Sequence, residues 1–173
     1  MTPTVLLLPG FGGAADQPIL MSLAGRLESL GLPCLRLAPP RLKLTPDLEA
    51  YGAWLDRELA AVRGPLVAVG RSFGGRLAVR LAARRPLAAV VLLGFPVRPP
   101  KKKRPLDERA LAALTCPTWI AQGTRDELGP MKVLRRCCAN ATIFPVRGAG
   151  HSFGGQERGT LDVAAAWLGQ LLL

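Results

Sequence analysis

The chain has 173 residues, 49% of them hydrophobic, and a formal charge of +11 from 23 basic and 12 acidic residues. That length suits one domain, residues 1–173, with a sizeable core, and the composition excludes a disordered chain. No apolar run approaches the ~18–20 residues of a membrane span, and the opening "MTPTVLLLPG" lacks the basic region and long apolar stretch of a secretory leader.

Short apolar runs alternate with longer amphipathic stretches along the chain. Thr4–Gly10, "TVLLLPG", reads as a buried strand ending in a turn. Pro18 suits the first turn of a helix, with Asp16 as its cap, and Gly31 stops it. Pro33–Pro40 is expected as a second strand, and Thr45 or Asp47 opens a helix running to about Arg63. Leu66–Gly70 is a third strand, followed by a helix from Gly74 to about Arg85. Ala89–Phe95 is a fourth, followed by a proline- and lysine-rich loop and a short helix around Asp107–Leu114. Thr118–Gly123 is a fifth, with a helix over Pro130–Cys138, and Ala141–Val146 a sixth. Thr160–Leu172 closes the series as an amphipathic helix. The fold class is therefore α/β, a six-stranded, mostly parallel sheet with helices on both faces. Right-handed crossovers put the C-terminal end of every parallel strand on one edge, where ligands bind in such folds.

Charge and cysteines narrow the partners. "KKKR", Lys101–Arg104, is the only concentrated basic block. Arg76, Arg80 and Arg84 recur at four-residue spacing, which predicts one solvated helical stripe. Aromatic residues make up 5% of the chain, too few for a base-stacking platform. No specific nucleic acid and no membrane partner is expected, only loose, salt-sensitive adhesion to polyanions. Cys34, Cys116, Cys137 and Cys138 form no CxxC pair, and the single histidine cannot complete a zinc cluster with them. They read as reduced thiols of a cytoplasmic protein.

Gly70-Arg71-Ser72-Phe73-Gly74 fits G-x-S-x-G between a predicted strand and a predicted helix, the setting of a nucleophile elbow. So tight a turn brings neighbouring backbone too close for Cβ atoms, which calls for glycine, and it exposes the serine Oγ on strained backbone. Gly75 permits close helix–strand packing. A plain N-cap serine is the structural alternative, but it leaves the glycines on both sides unexplained.

A hydroxyl is a poor nucleophile near neutral pH and needs a base. His151, the only histidine, follows the sixth predicted strand on a glycine-flanked loop at the same sheet edge. A carboxylate must orient the imidazole, and Asp126, just past the fifth predicted strand, reaches that edge. Glu127 is its rival, and Asp162 reads as a first-turn helix acid. Oxyanion donors are expected from the backbone N–H groups of Phe73 and of Phe11, the latter in "PGFGGAAD" with Gly12 behind it at the substrate. Arg71 and Arg125 hint at an anionic substrate, with a structural ion pair as an equal alternative for Arg125. Gly10-x-Gly12-x-x-Ala15 also matches a dinucleotide fingerprint. Against it, Asp16 and Pro18 set the helix start too late, and no acid follows the second strand, which leaves only an NADP variant open.

With Ser72, Asp126 and His151 in that order, the chain resembles the α/β-hydrolase superfamily over essentially its whole length. More narrowly it is similar to the small dienelactone-hydrolase-related branch. That branch includes testis-expressed protein 30 and the hydrolase-like domain of the third regulatory subunit of the non-specific-lethal complex. The segments that carry the resemblance are "GRSFGG" at Gly70–Gly75, "LLGFPVRPP" at Leu92–Pro100, "PTWIAQGTRDELG" at Pro117–Gly129 and "GHSF" at Gly150–Phe153. It implies a minimal fold without a large lid and a triad of Ser72, Asp126 and His151. The chain departs from many such hydrolases at Pro9, where a histidine often precedes the oxyanion glycine.

Two functions of different classes follow. One is a serine hydrolase that cleaves a small carboxylic ester or related acyl bond through an acyl-enzyme on Ser72. It would need no metal or organic cofactor and would have a shallow, open pocket, because the loop after the fourth strand is too short for a lid domain. The other is a catalytically silent module of the same fold that binds an acidic partner through "RPPKKKRP", Arg98–Pro105.

Overall fold

Six strands form one sheet: β1 (Thr4–Leu8), β2 (Cys34–Arg36), β3 (Leu66–Arg71), β4 (Ala89–Leu93), β5 (Thr118–Gly123) and β6 (Thr142–Val146). The computed structural model, which describes residues 1–173, orders them β2-β1-β3-β4-β5-β6 with every neighbouring pair parallel. The helices are α1 (Pro18–Ser29), α2 (Glu49–Glu58), α3 (Phe73–Ala82), α4 (Pro105–Ala112), α5 (Met131–Cys137) and α6 (Glu157–Leu172).

Side chains of a strand alternate between the two faces, so a sheet covered on both needs strands that are apolar throughout. In β1, Val5 and Leu7 join α1 and α6 on one side, while Leu6 and Leu8 join α2 and α3 on the other. The same alternation splits Val67 and Val69 from Leu66 and Ala68 in β3, and Trp119 and Ala121 from Ile120 in β5. Each fully buried Leu or Val stabilises the layers by about 1.5–3 kcal/mol relative to exposure. The sheet order reverses between β1 and β3, and ligands bind beyond the strand ends at such a reversal.

Several local expectations change. Asp16 does not cap α1; Gln17 precedes the helix, and its Oε1 accepts the Gly10 N–H at 3.1 Å. The helix therefore starts too far from Gly10-x-Gly12 for its N-terminus to cradle a pyrophosphate, against the dinucleotide alternative. β2 is only Cys34–Arg36, since Pro39 and Pro40 cannot donate to a ladder. α2 starts at Glu49 because Asp47 Oδ1 accepts the N–H of Glu49 and Leu48 turns through φ 57°, and it ends by Glu58 rather than near Arg63.

The arginine stripe of α3 is not a free solvated face. Arg76 and Arg80 bind the two oxygens of Asp107 on α4, at 2.6 and 2.8 Å, and Asp107 is 1% exposed. Arg84 pairs with Asp56 and Glu49 of α2. Spacing placed these residues on one face; packing against α2 and α4 made that face a seam. Only Gly94–Arg104 separates β4 from α4, so no large lid covers the sheet edge. No helix is long and apolar enough to cross a membrane.

Candidate active site

α3 begins directly after β3, so the chain reverses at Ser72, whose backbone lies at φ 50° and ψ −110°. Residues with a Cβ avoid that conformation unless their surroundings enforce it. Here the Ser72 N–H donates to Leu93 O at 3.1 Å, and the Gly75 N–H donates to Ser72 O at 2.9 Å. A Cβ on Gly70 would overlap the Gly74 backbone, and one on Gly74 would overlap the Leu8 carbonyl. Ser72 stands at the N-cap position of α3, yet its hydroxyl makes no cap hydrogen bond, against the capping alternative. Its Oγ instead lies 2.8 Å from His151 Nε2.

His151 follows β6, and its Nδ1 lies 2.8 Å from Asp126 Oδ2. Asp126, just beyond β5, is 4% exposed. Its Oδ1 accepts the Leu128 N–H at 2.9 Å, and its Oδ2 also accepts from Gln122 Nε2 at 2.7 Å. A carboxylate oxygen can only accept, so Nδ1 carries the imidazole proton and Nε2 faces the serine as an acceptor. The rival Glu127 is exposed. Asp162 lies past the first turn of α6 and pairs with Arg26 of α1 at 2.6 Å.

Two further side chains hold this arrangement. Gln122, missed from the sequence, is fully buried in β5 and accepts the Phe95 N–H at 2.8 Å. Its amide donates both to Asp126 and to Gly129 O, the latter at 2.9 Å. The available signal was a lone amide within the otherwise apolar "TWIAQG" run. Arg71, expected at the substrate, is 8% exposed and acts as a brace. It donates to Leu93 O at 3.0 Å and to His151 O at 2.7 Å, and its guanidinium lies over the Phe153 ring. Burial pulls its pKa down, while the charges of Asp126 and Glu157 oppose that pull. Arg125 is exposed, forms no ion pair and lines no part of the cavity described next, so neither of its expected roles is observed.

A cavity of about 510 Å³ opens beside Ser72, between Phe11, Leu44, Phe73 and Leu128. Such a volume falls within the ~300–1,000 Å³ range of small-molecule sites. Phe11 meets Phe73 edge to face, with ring centroids 5.4 Å apart. The backbone N–H groups of Phe11 and Phe73 make no hydrogen bond within the protein, which leaves both free as donors. Gly12, with φ 71°, is exposed and does not line the cavity. The basic loop does: Lys102, Lys103 and Arg104 form one wall with Arg76. The expected external adhesion patch thus borders the site.

A family model described as "Alpha/beta hydrolase domain" matches residues 2–168. Solved structures share the fold. The chain superposes on a protein of the alpha/beta superfamily from Xanthomonas campestris pv. campestris with a TM-score of 0.78, 24% identity, and coverage of 97% of this chain and 99% of that one. The monoacylglycerol lipase of Paleococcus ferrophilus gives a TM-score of 0.79 at 16% identity, covering 98% and 96%. Est1E from Butyrivibrio proteoclasticus gives 0.77 at 15% identity, covering 98% and 88%.

Proposed function

The chain belongs to the alpha/beta hydrolase domain family, and from that footing we propose that it is a serine hydrolase cleaving a small carboxylic ester or related acyl bond. The observation that carries the reading is the continuous contact from Ser72 Oγ through His151 to Asp126, with both links at 2.8 Å. Ser72 Oγ attacks the acyl carbon while its proton passes to His151 Nε2. Asp126 accepts from Nδ1 and stabilises the imidazolium, and the Phe11 and Phe73 N–H groups bind the oxyanion. The intermediate collapses as His151 returns the proton to the leaving oxygen and the ester C–O bond breaks. Water, deprotonated by His151, then attacks the acyl-enzyme, releases the carboxylic acid and restores Ser72.

Within the family, "LLGFPVRPP" and "PTWIAQGTRDELG" favour the small dienelactone-hydrolase-related branch. The four cysteines are free thiols, which suits a reducing, cytoplasmic compartment. A fluorophosphonate probe followed by intact-mass analysis tests the proposal. One adduct that Ser72→Ala abolishes is expected. No adduct at any serine would overturn the enzyme reading and leave the silent module.

A further inference from the structure

We propose that the substrate carries an anionic group, a carboxylate or similar oxyanion, in addition to its scissile acyl bond, and that Arg104, Lys103 and Arg76 receive this group in the cavity beside Ser72. The inference rests on the serine-hydrolase reading for the bond that is cut, but the anion site stands on its own observations.

The cavity wall carries four cations, Arg76, Lys102, Lys103 and Arg104, and one acid, Asp107. That acid is already divided: Oδ2 serves Arg76 and Oδ1 serves Arg80. Neither lysine forms an ion pair, and both are exposed. Arg104 is the telling residue. One terminal nitrogen donates to Pro96 O at 3.1 Å, while its Nε is buried with no partner. Burial, and then repulsion from Arg76, pull its pKa down, while the charge of Asp107 opposes them. The Nε, like that of Arg80, is too deeply buried for a ligand to reach. The second terminal nitrogen, which makes no hydrogen bond and is not buried, is the donor that an anionic oxygen entering the cavity would meet.

The loop that presents these cations is also stiff. Pro99 and Pro100 precede Lys101, which turns at φ 57°, and the Lys102 N–H donates to Pro99 O at 3.1 Å. Pro105 locks the other end as α4 begins. A flexible polybasic tail would be indifferent to where its charges lie; this one is folded against the cavity. The remaining wall, including Leu44, Leu106 and Leu128, suits an aliphatic spacer between the two ends of the substrate.

The first measurement compares kcat/KM for mono-p-nitrophenyl glutarate with that for neutral p-nitrophenyl hexanoate. The anionic ester should be favoured about tenfold, equivalent to ~1.4 kcal/mol, and the ratio should collapse in Arg104→Gln and halve or more in Lys103→Gln. Lys103 is exposed, so its variant keeps the fold even if Arg104→Gln does not. The second titrates monomethyl glutarate and methyl hexanoate into the Ser72→Ala protein by calorimetry. Tighter binding of the charged ester that both substitutions and added salt weaken supports the site, whether or not the wild type turns over. Turnover of neither ester with that binding intact would overturn the hydrolase reading alone. Equal affinity for the two esters, or a preference untouched by both substitutions, would overturn the anion site alone.

Discussion

Gln122→Leu tests whether the buried amide holds the acid of the site. Leucine keeps the bulk but removes four contacts: the donations to Asp126 Oδ2 at 2.7 Å, to Gly129 O at 2.9 Å and to Phe95 O at 3.5 Å, and the acceptance from Phe95 N–H at 2.8 Å. Each buried group left without a partner costs about 1–3 kcal/mol. Two backbone groups are orphaned, and a carboxylate loses a donor while keeping the Leu128 N–H. The summed loss is about 3–9 kcal/mol, a large share of the ~5–15 kcal/mol of a typical domain. Urea titration should show a lower midpoint at unchanged slope. In the protein that remains folded, kcat should fall roughly 10–100-fold with KM little changed, since the imidazole loses its fixed partner orientation and not its substrate contacts. A stability loss under ~1 kcal/mol, or a kcat within twofold of wild type, would refute the view that Gln122 positions Asp126.

Ser72→Ala and His151→Ala, assayed on small esters with the fold checked by circular dichroism, should lower turnover by on the order of 10⁴–10⁶-fold, and Asp126→Asn by roughly 10³–10⁴-fold. If Glu127→Gln did comparable damage, the acid would have to be reassigned. Gly74→Ala drives a Cβ into the Leu8 carbonyl, so thermal denaturation should report a loss of at least ~3 kcal/mol together with loss of fluorophosphonate labelling. Burial, with Glu28 assisting, raises the Cys34 pKa from 9.0 to about 11. At pH 8 its thiolate fraction is then about a hundredfold below that of an ordinary thiol, and disulfide-reagent labelling should slow accordingly. Because the folded value lies above the unfolded one, its contribution to stability is complete below pH 9 and fades as pH rises from 9 toward 11.

The sheet was legible because its strands are bounded apolar runs and every crossover returns the chain in the same direction. Element ends were less legible. Asp47 spends its carboxylate on Thr45 and Glu49, which delays α2, and Gln17 rather than Asp16 stands before α1. A capping residue announces that it can bond nearby backbone, not which backbone group its neighbours will leave free. The arginine stripe shows the same limit at the next level. A repeat of four predicts a shared face, but whether that face meets water or a buried carboxylate depends on where α4 docks.

The candidate site divides along the same line. Ser72 follows β3 directly and Asp126 and His151 lie on the loops just beyond β5 and β6, and a parallel sheet carries every such residue to one edge, so their juxtaposition could be argued from position alone. Gln122 and Arg71 lie inside strands and gain their roles from groups that reach them late: Phe95 and Gly129 for one, the His151 carbonyl for the other. Neighbourhood in sequence even misdirects, since the arginine beside the serine is consumed in bracing the histidine loop. The cations that face the cavity arrive from α3 and the proline-bounded loop before α4. In the proposed reading, chemistry on this sheet is set by strand ends, while what the site selects is set by the connection after β4. If that division holds, exchanging Pro99–Arg104 for a neutral segment should change which esters are preferred far more than it changes labelling of Ser72, and equal losses in both would show the two to be coupled.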